Sequence, residues 1–164
     1  MATPDEHPTR GIRKPGATPG PSAKGRSWFF GIGINRYLHF TPLNNALKDV
    51  QDLLAVLRED YELDDDHVIT LFDEQATREN IIIRFDRLVE EVQPGDRLLI
   101  YYSGHGHLNP RTEKGYWIPH DAEKDNTSDY VRNSTVLGYL EDIDSLHTLL
   151  ISDSCFSEIG RASC

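Results

Sequence analysis

The chain has 164 residues, a length that suits one domain, and 38% of its residues are hydrophobic. No apolar run approaches the roughly 20 residues that span a bilayer, and no apolar signal segment opens the chain, so we expect a cytoplasmic protein without a membrane partner. The formal net charge of −10 argues against a nucleic acid partner, because phosphates are bound by Lys and Arg. An acidic body suits a basic peptide partner, although it also describes an ordinary soluble surface.

The chain contains two cysteines, Cys155 and Cys164. They lie too close in sequence for a disulfide between them to link distant parts of a fold, which favours a reducing intracellular compartment. Residues 1–26 are rich in Pro, Gly, Ser, Thr and Ala and lack apolar periodicity, so they predict a disordered leader or a plain linker. The folded domain is then expected to cover residues 27–164.

The remaining sequence alternates between strand-like and helix-like segments. Four apolar runs predict strands, at 28–34, 68–71, 97–102 and 147–152. Three segments with apolar residues at helical spacing predict helices, at 43–57, 81–92 and 134–143. Thr77 is the expected N-cap of the second helix, Pro94 and Gly95 stop it, and Ser134 or Thr135 opens the third. This alternation predicts an α/β fold with a mostly parallel central sheet flanked by helices.

Two of the predicted strands lead directly to residues that carry chemistry. His105 follows the run at 97–102, and Cys155 follows the run at 147–152. Functional sites of open α/β sheets form at the carboxyl ends of the strands, so we expect the two residues to meet there. A thiol nucleophile with an imidazole base is the pair that covalent catalysis requires. The alternative is a buried structural cysteine and an unrelated loop histidine.

The motifs around these residues are specific. His105 lies in Tyr-Tyr-Ser-Gly-His-Gly, Cys155 lies in Ser-Asp-Ser-Cys-Phe-Ser, and about fifty residues separate them, as in caspases. From residue 27 to residue 157 the chain resembles the metacaspases and their bacterial relatives among the caspase-like cysteine peptidases. The resemblance implies a caspase-like fold, a three-layer sandwich, of which 27–164 would be the large-subunit portion of the catalytic domain. It also implies a cysteine endopeptidase with a Cys-His dyad.

The resemblance assigns further roles near the dyad. In the family, the backbone N–H groups of the nucleophile and of the residue after the histidine form the oxyanion hole, which here are Cys155 and Gly106. The aspartate two residues before the nucleophile binds a basic P1 side chain, which here is Asp153 and implies cleavage after Arg or Lys. Read without the family, Gly106 is an ordinary turn glycine and Asp153 a solvated or capping residue at a strand end.

Metacaspases often bind calcium through acidic residues that follow the histidine motif. The polar loop at 120–129 offers four candidates, Asp121, Glu123, Asp125 and Asp129. The family's paired acidic residues nearer the third helix are replaced by Asn133, Ser134 and Thr135. We therefore predict no required cofactor and leave Ca²⁺ as an option beside a plain solvated acidic loop.

A zinc site is the other metal hypothesis for this region. His107 and His120 with Asp121 lie near His105 in the sequence, but third and fourth ligands are not well defined. We therefore assign no metal ligand.

The chain departs from the family pattern after the nucleophile. Phe156 and Glu158 replace residues that are usually His and Gly, and we expect these 164 residues to lack a counterpart of the family's small-subunit region. The far edge of the strand at 147–152 is then uncovered, so a small-subunit partner or a homo-oligomer is expected. The alternative function is a truncated or inactive caspase-like module that binds partners without catalysis.

Overall fold

The structure is a computed structural model that describes residues 24–61 and 63–156, and only the backbone of Cys155 and Phe156. The predicted leader up to residue 23, Glu158 and Cys164 lie outside the described residues. In the part of the chain that the structure describes, no helix has the length and apolar character that crossing a membrane requires.

The described residues form one sheet with helices on both of its faces. The strands are β1 Ser27–Gly33, β2 Val68–Phe72, β3 Arg97–Asn109, β4 Lys114–Trp117, β5 Val131–Arg132 and β6 His147–Phe156. The α-helices are α1 Ala46–Asp60, α2 Arg78–Glu91 and α3 Asn133–Asp142. The strand order is β2-β1-β3-β4-β5, and β6 pairs with β3. β1, β2, β3 and β6 run parallel, whereas β4 and β5 are antiparallel additions. The predicted α/β class is confirmed.

The strand β1 is apolar on both faces because both faces are covered. Phe29 packs with Val50 and Leu54 of α1. Phe30, on the opposite face, packs with Phe85 of α2 at a ring separation of 5.4 Å. Successive residues of a strand project to opposite faces, so one short run contributes to two cores. The three-layer arrangement is confirmed.

Two glycines of β1 allow α1 to lie close to the sheet. A Cβ at Gly31 would stand 2.5 Å from a methyl group of Val50, and one at Gly33 would stand 2.9 Å from the carbonyl oxygen of Ala46. Neither approach is possible for a residue with a side chain. The close packing brings Asp49, in the first turn of α1, next to Ser103 in the middle of β3.

The predicted ends of the two strands that lead to His105 and Cys155 are wrong. β3 continues through His105 to Asn109, and β6 continues through Cys155 to Phe156. β3 is prolonged by pairing with β4 on one side and with β6 on the other. Ser, Gly and His interrupt the apolar pattern there, but backbone pairing does not need apolar side chains. The dyad residues therefore lie within strands and not in loops beyond them.

The predicted helices are present, with shifted starts. α1 begins at Ala46 and not at residue 43, because the side chain of Asn35 accepts a hydrogen bond from the Ala46 N–H at 2.9 Å. Thr77 is confirmed as the N-cap of α2, accepting from the Asn80 N–H at 3.1 Å. α3 begins at Asn133 directly after β5, so neither Ser134 nor Thr135 caps it.

The strand β6 leaves part of its surface uncovered within the described residues. It pairs with β3 on one edge, and no described strand pairs with the other. On the α1 side of the sheet Leu149 is 56% exposed and Ile151 is 38% exposed. Leu149 also lines an apolar cavity of about 300 Å³ with Leu57 and Leu99. An open edge beside exposed apolar side chains invites pairing with another chain.

Asp96 joins the start of β1 to the start of β3. Its carboxylate accepts hydrogen bonds from the backbone and guanidinium of Arg26, the Trp28 indole and the Gln93 N–H. Arg26, placed in the leader by the sequence, is thus attached to the fold. Burial raises the pKa of Asp96, but these hydrogen bonds outweigh it and lower the pKa from 3.8 to about 2. This stabilisation is complete above the unfolded-state pKa and is lost as the pH falls through about 2.

We expect the free energy of unfolding to fall by about 2 kcal/mol as the pH is lowered from 5 towards 2. Asp96→Asn should lower the free energy of unfolding at neutral pH and should reduce its dependence on pH between 5 and 2. Urea unfolding followed at several pH values measures both effects. Asp144→Asn, at an exposed carboxylate, is the control. If Asp96→Asn unfolded with the same pH dependence as the wild type between pH 5 and 2, Asp96 would not be its source.

Candidate active site

His105 and Cys155 lie side by side in the sheet. Their Cα atoms are register partners in the parallel ladder between β3 and β6, and neighbouring strands are about 4.8 Å apart. The backbones of the two predicted dyad residues are thus adjacent. Because the Cys155 side chain is outside the described atoms, the dyad itself stays a prediction.

The imidazole of His105 is held by one nitrogen and has the other available. Nε2 lies 2.7 Å from the carbonyl oxygen of Thr41. A carbonyl oxygen only accepts, so Nε2 carries the proton and donates it. Nδ1 is then the basic nitrogen of the neutral ring. It is buried and has no hydrogen-bond partner among the described residues. This is the arrangement of a general base oriented by a third group.

The loop between β1 and α1, residues 34–45, supplies the surroundings of His105. The Tyr37 ring lies 4.7 Å from the imidazole and the Phe40 ring 6.1 Å from it, both measured between centroids. Asp73 holds the start of this loop by accepting the N–H groups of Asn35 and Arg36, each at 2.8 Å. The loop is therefore anchored at the end of β2 while its middle packs on the histidine.

His120 takes part in anchoring the same loop. Its side chain is buried, and Nδ1 donates to the Arg36 carbonyl oxygen at 2.6 Å. Its backbone accepts from the Leu38 N–H and donates to the Ala76 carbonyl oxygen. His107 packs against the rings of Tyr116 and Tyr130.

The metal candidates are not brought together. Asp121 accepts the Arg78 N–H at 3.1 Å, and Asp129 accepts the Glu123 N–H at 3.2 Å. Across residues 24–61 and 63–156, no three His, Cys, Asp or Glu side chains are grouped in a way that could hold a metal ion. The residues named for calcium and for zinc are thus not gathered into one group among the described side chains.

An acidic pocket of about 260 Å³ opens beside β3 and β6, the strands that contain His105 and Cys155. Asp49 from the first turn of α1 and Asp153 from β6 contribute carboxylates, and Ser103 lies between them. The Cα atoms of Ser103 and Asp153 are register partners, and the Ser103 hydroxyl is 3.4 Å from Asp49 Oδ2. No basic side chain is among the described residues that line it. Such a pocket suits a cationic group.

The two carboxylates also affect a neighbouring phenol. The pKa of Tyr101 is raised, first by burial and then by the negative charges of Asp153 and Asp49. Both charges therefore reach the same small region of the sheet surface.

Sequence reasoning placed Asp153 near the site but did not assign Asp49 or Ser103. Asp49 directly precedes Val50 of the buried stripe of α1, and a helix that follows a parallel strand begins at the carboxyl edge of the sheet. This position in the sequence could have predicted that Asp49 lies near the site. Gly106, the predicted oxyanion donor, lies in β3 opposite Trp117 and Phe156, and its role stays a prediction.

Comparisons with known proteins agree with this architecture. The family model of the caspase domain matches residues 30–163. Metacaspase-2 of Trypanosoma brucei brucei is 38% identical over 98 residues, which are 55% of this chain and 27% of that protein. Metacaspase-1 of Mycosarcoma maydis is 30% identical over 125 residues, 73% of this chain and 30% of that protein. The chain thus spans less than a third of these relatives.

Two solved structures share the fold at low sequence identity. A protein of Geobacter sulfurreducens matches 79% of this chain and 50% of its own with a TM-score of 0.63 and 21% identity. Pro-Sf-caspase-1 matches 94% of this chain and 56% of its own with a TM-score of 0.55 and 12% identity. The family model covers most of the sequence, including His105 and Cys155, and the chain belongs to the caspase-domain family.

Proposed function

We propose that this chain carries the catalytic centre of a cysteine endopeptidase that cleaves after Arg or Lys. The observation that carries the proposal is the state of His105, whose Nε2 is bound to the Thr41 carbonyl while Nδ1 is left without a partner beside the backbone of Cys155. The metacaspase relatives support a peptidase.

The proposed reaction uses the two residues in sequence. Nδ1 of His105 takes the thiol proton of Cys155, and the thiolate attacks the scissile carbonyl carbon. The N–H groups of Gly106 and Cys155 stabilise the oxyanion, a role taken from the family resemblance. The imidazolium returns its proton to the leaving amine as the C–N bond breaks. A water molecule, deprotonated by His105, then hydrolyses the thioester and frees Cys155.

The acidic pocket supports basic specificity. Asp49 and Asp153 would pair with the guanidinium of Arg or the ammonium of Lys, and charge-assisted hydrogen bonds are among the stronger ones. An Asp side chain at P1 would meet two like charges there. We therefore expect a basic P1 residue and not the acidic one.

A panel of fluorogenic peptides that differ only at P1 tests this function. We expect cleavage after Arg and Lys, with Asp at P1 hydrolysed far more slowly. Asp153→Asn should raise KM for the Arg peptide by roughly tenfold to a hundredfold, the equivalent of one lost charged hydrogen bond. Asp66→Asn, at an exposed residue near the opposite end of the sheet, is the control. A preference for Asp over Arg at P1 would contradict the proposal.

We further propose a protein partner for the uncovered surface of β6, either a small-subunit region or a second copy of this chain. The open edge and the exposed Leu149 and Ile151 support it. The same surface is the observation that favours the alternative function, an interaction module without catalysis. A reducing cytoplasm is the proposed location, since a thiol nucleophile must stay unoxidised.

A further inference from the structure

Tyr37 contacts His105 in two ways. Its ring packs on the imidazole, and its hydroxyl oxygen accepts the His105 backbone N–H at 2.8 Å. The ladder between β1 and β3 ends at the pair Gly33 and Ser103. At His105 no β1 residue remains to receive the N–H, and the Tyr37 hydroxyl takes the place of a strand partner.

A second tyrosine holds the other backbone group of His105. The Tyr102 hydroxyl donates to the His105 carbonyl oxygen at 2.6 Å. The Ile118 N–H donates to the same oxygen at 3.0 Å. Both polar backbone groups of His105 are therefore fixed. The Tyr37 hydroxyl accepts its N–H, and the Tyr102 hydroxyl and the Ile118 N–H donate to its carbonyl oxygen.

Gly104 is required by this arrangement. A Cβ on Gly104 would lie 2.7 Å from the Tyr37 hydroxyl and 2.7 Å from the Tyr102 hydroxyl. The two hydroxyl groups occupy the space that a side chain at this position would fill. The glycine before the histidine thus makes room for the tyrosine pair.

The Tyr37 hydroxyl is a neutral group. Burial raises the pKa of Tyr37 well above its ordinary value, and the hydrogen bond from the His105 backbone offsets only part of that rise. The phenol stays protonated at neutral pH, so it does not compete with His105 for the thiol proton. Its effect on chemistry is exerted through the position of the histidine.

Tyr37 and Thr41 belong to one loop, and the Thr41 carbonyl oxygen accepts the hydrogen bond that Nε2–H of His105 donates. The next residues of the loop, from Pro42 onward, line the acidic pocket. One segment thus fixes the backbone of the base, selects its tautomer and forms a wall of the cationic subsite. We propose that Tyr37 is a positioning residue that holds His105 in the orientation with Nε2 on Thr41 and Nδ1 free for the thiol of Cys155. This inference rests on the proposed function.

The test is Tyr37→Phe, which keeps the ring and removes the acceptor. We expect kcat to fall roughly tenfold to a hundredfold while KM for the Arg peptide stays within about twofold. We also expect the pH midpoint of Cys155 alkylation by iodoacetamide, measured in a Cys164→Ser background, to rise towards the ordinary thiol value of about 8.5. Alkylation does not need turnover, so it reports the dyad directly.

Tyr139→Phe is the matched control. It also removes a bonded phenol hydroxyl, which donates to Asp86 at 2.8 Å on the α2 and α3 side of the sheet. It should leave kcat and the alkylation midpoint unchanged. If Tyr37→Phe does not fold, 3-fluorotyrosine at position 37 weakens the acceptor with little change in packing and should shift both quantities in the same direction by less.

The outcomes separate this inference from the proposed function. A wild-type midpoint near 8.5 would mean that Cys155 has no imidazole partner, and the proposed function would fail. A depressed wild-type midpoint that Tyr37→Phe or the fluorotyrosine protein leaves unchanged, with unchanged kcat, would overturn the positioning role alone. A rise in KM without a fall in kcat would also overturn it.

Discussion

Cys155→Ala is expected to remove peptide hydrolysis, with kcat lowered by several orders of magnitude, because the attacking atom is lost. His105→Ala should have a comparable effect, since the thiol then lacks its base and the leaving amine lacks its acid. Initial rates on the Arg peptide measure both variants.

The fold should survive these changes. Cys155→Ala alters a small side chain near the open end of β6, and strand pairing by its backbone is retained. Thermal unfolding should therefore remain close to that of the wild type. Cys164→Ser is the matched control, because it removes the other thiol and should keep full turnover. Near-normal turnover by Cys155→Ala would show that the proposed nucleophile is wrong, whereas a wild-type chain without turnover would favour the interaction module.

Self-association is the second large effect that we expect. Burial of a large apolar side chain contributes about 1.5–3 kcal/mol. Leu149 and Ile151 together present such surface next to an unpaired strand edge. The isolated chain should therefore form dimers or larger species at micromolar concentration. Leu149→Lys combined with Ile151→Lys should weaken association at least a hundredfold, measured by sedimentation over a range of concentrations.

The control for association is Ile83→Lys, on α2 at the other face of the sheet, where the isoleucine is 41% exposed. It should leave sedimentation unchanged. Turnover is measured in parallel. The family's small-subunit region, supplied as a second polypeptide, should cover the β6 surface and raise turnover. A stable and fully active monomer of residues 1–164 would contradict both the association through the uncovered surface of β6 and the proposed partner.

The sequence predicted most of the architecture because the signals are local. The apolar run that became β1 and the Thr77 cap of α2 each depend on neighbouring residues. The lengths of β3 and β6 depend on which strand lies alongside, and no local pattern reports that. β5 has two residues, too few to show a period.

The site was predicted unevenly for the same reason. His105 and Cys155 carry motifs, so their types and spacing indicate their chemistry. Thr41 acts through a main-chain carbonyl, which every residue has, and its role appears only when the loop is folded against His105. Asp49 comes from a different element than Asp153 and meets it only in the tertiary structure. His120 carries no motif of its own, and its hydrogen bond to the Arg36 carbonyl oxygen appears only when the loop at 34–45 is folded.

The most direct measurement is covalent labelling with a peptide that bears Arg at P1 and a thiol-reactive carbonyl group, followed by mass analysis of the modified residue. We predict that the label is found on Cys155 and not on Cys164, that His105→Ala slows labelling strongly, and that the matching Asp probe reacts far more slowly. Labelling of Cys164 in place of Cys155, or faster labelling by the Asp probe, would contradict the assigned nucleophile or the basic subsite, respectively.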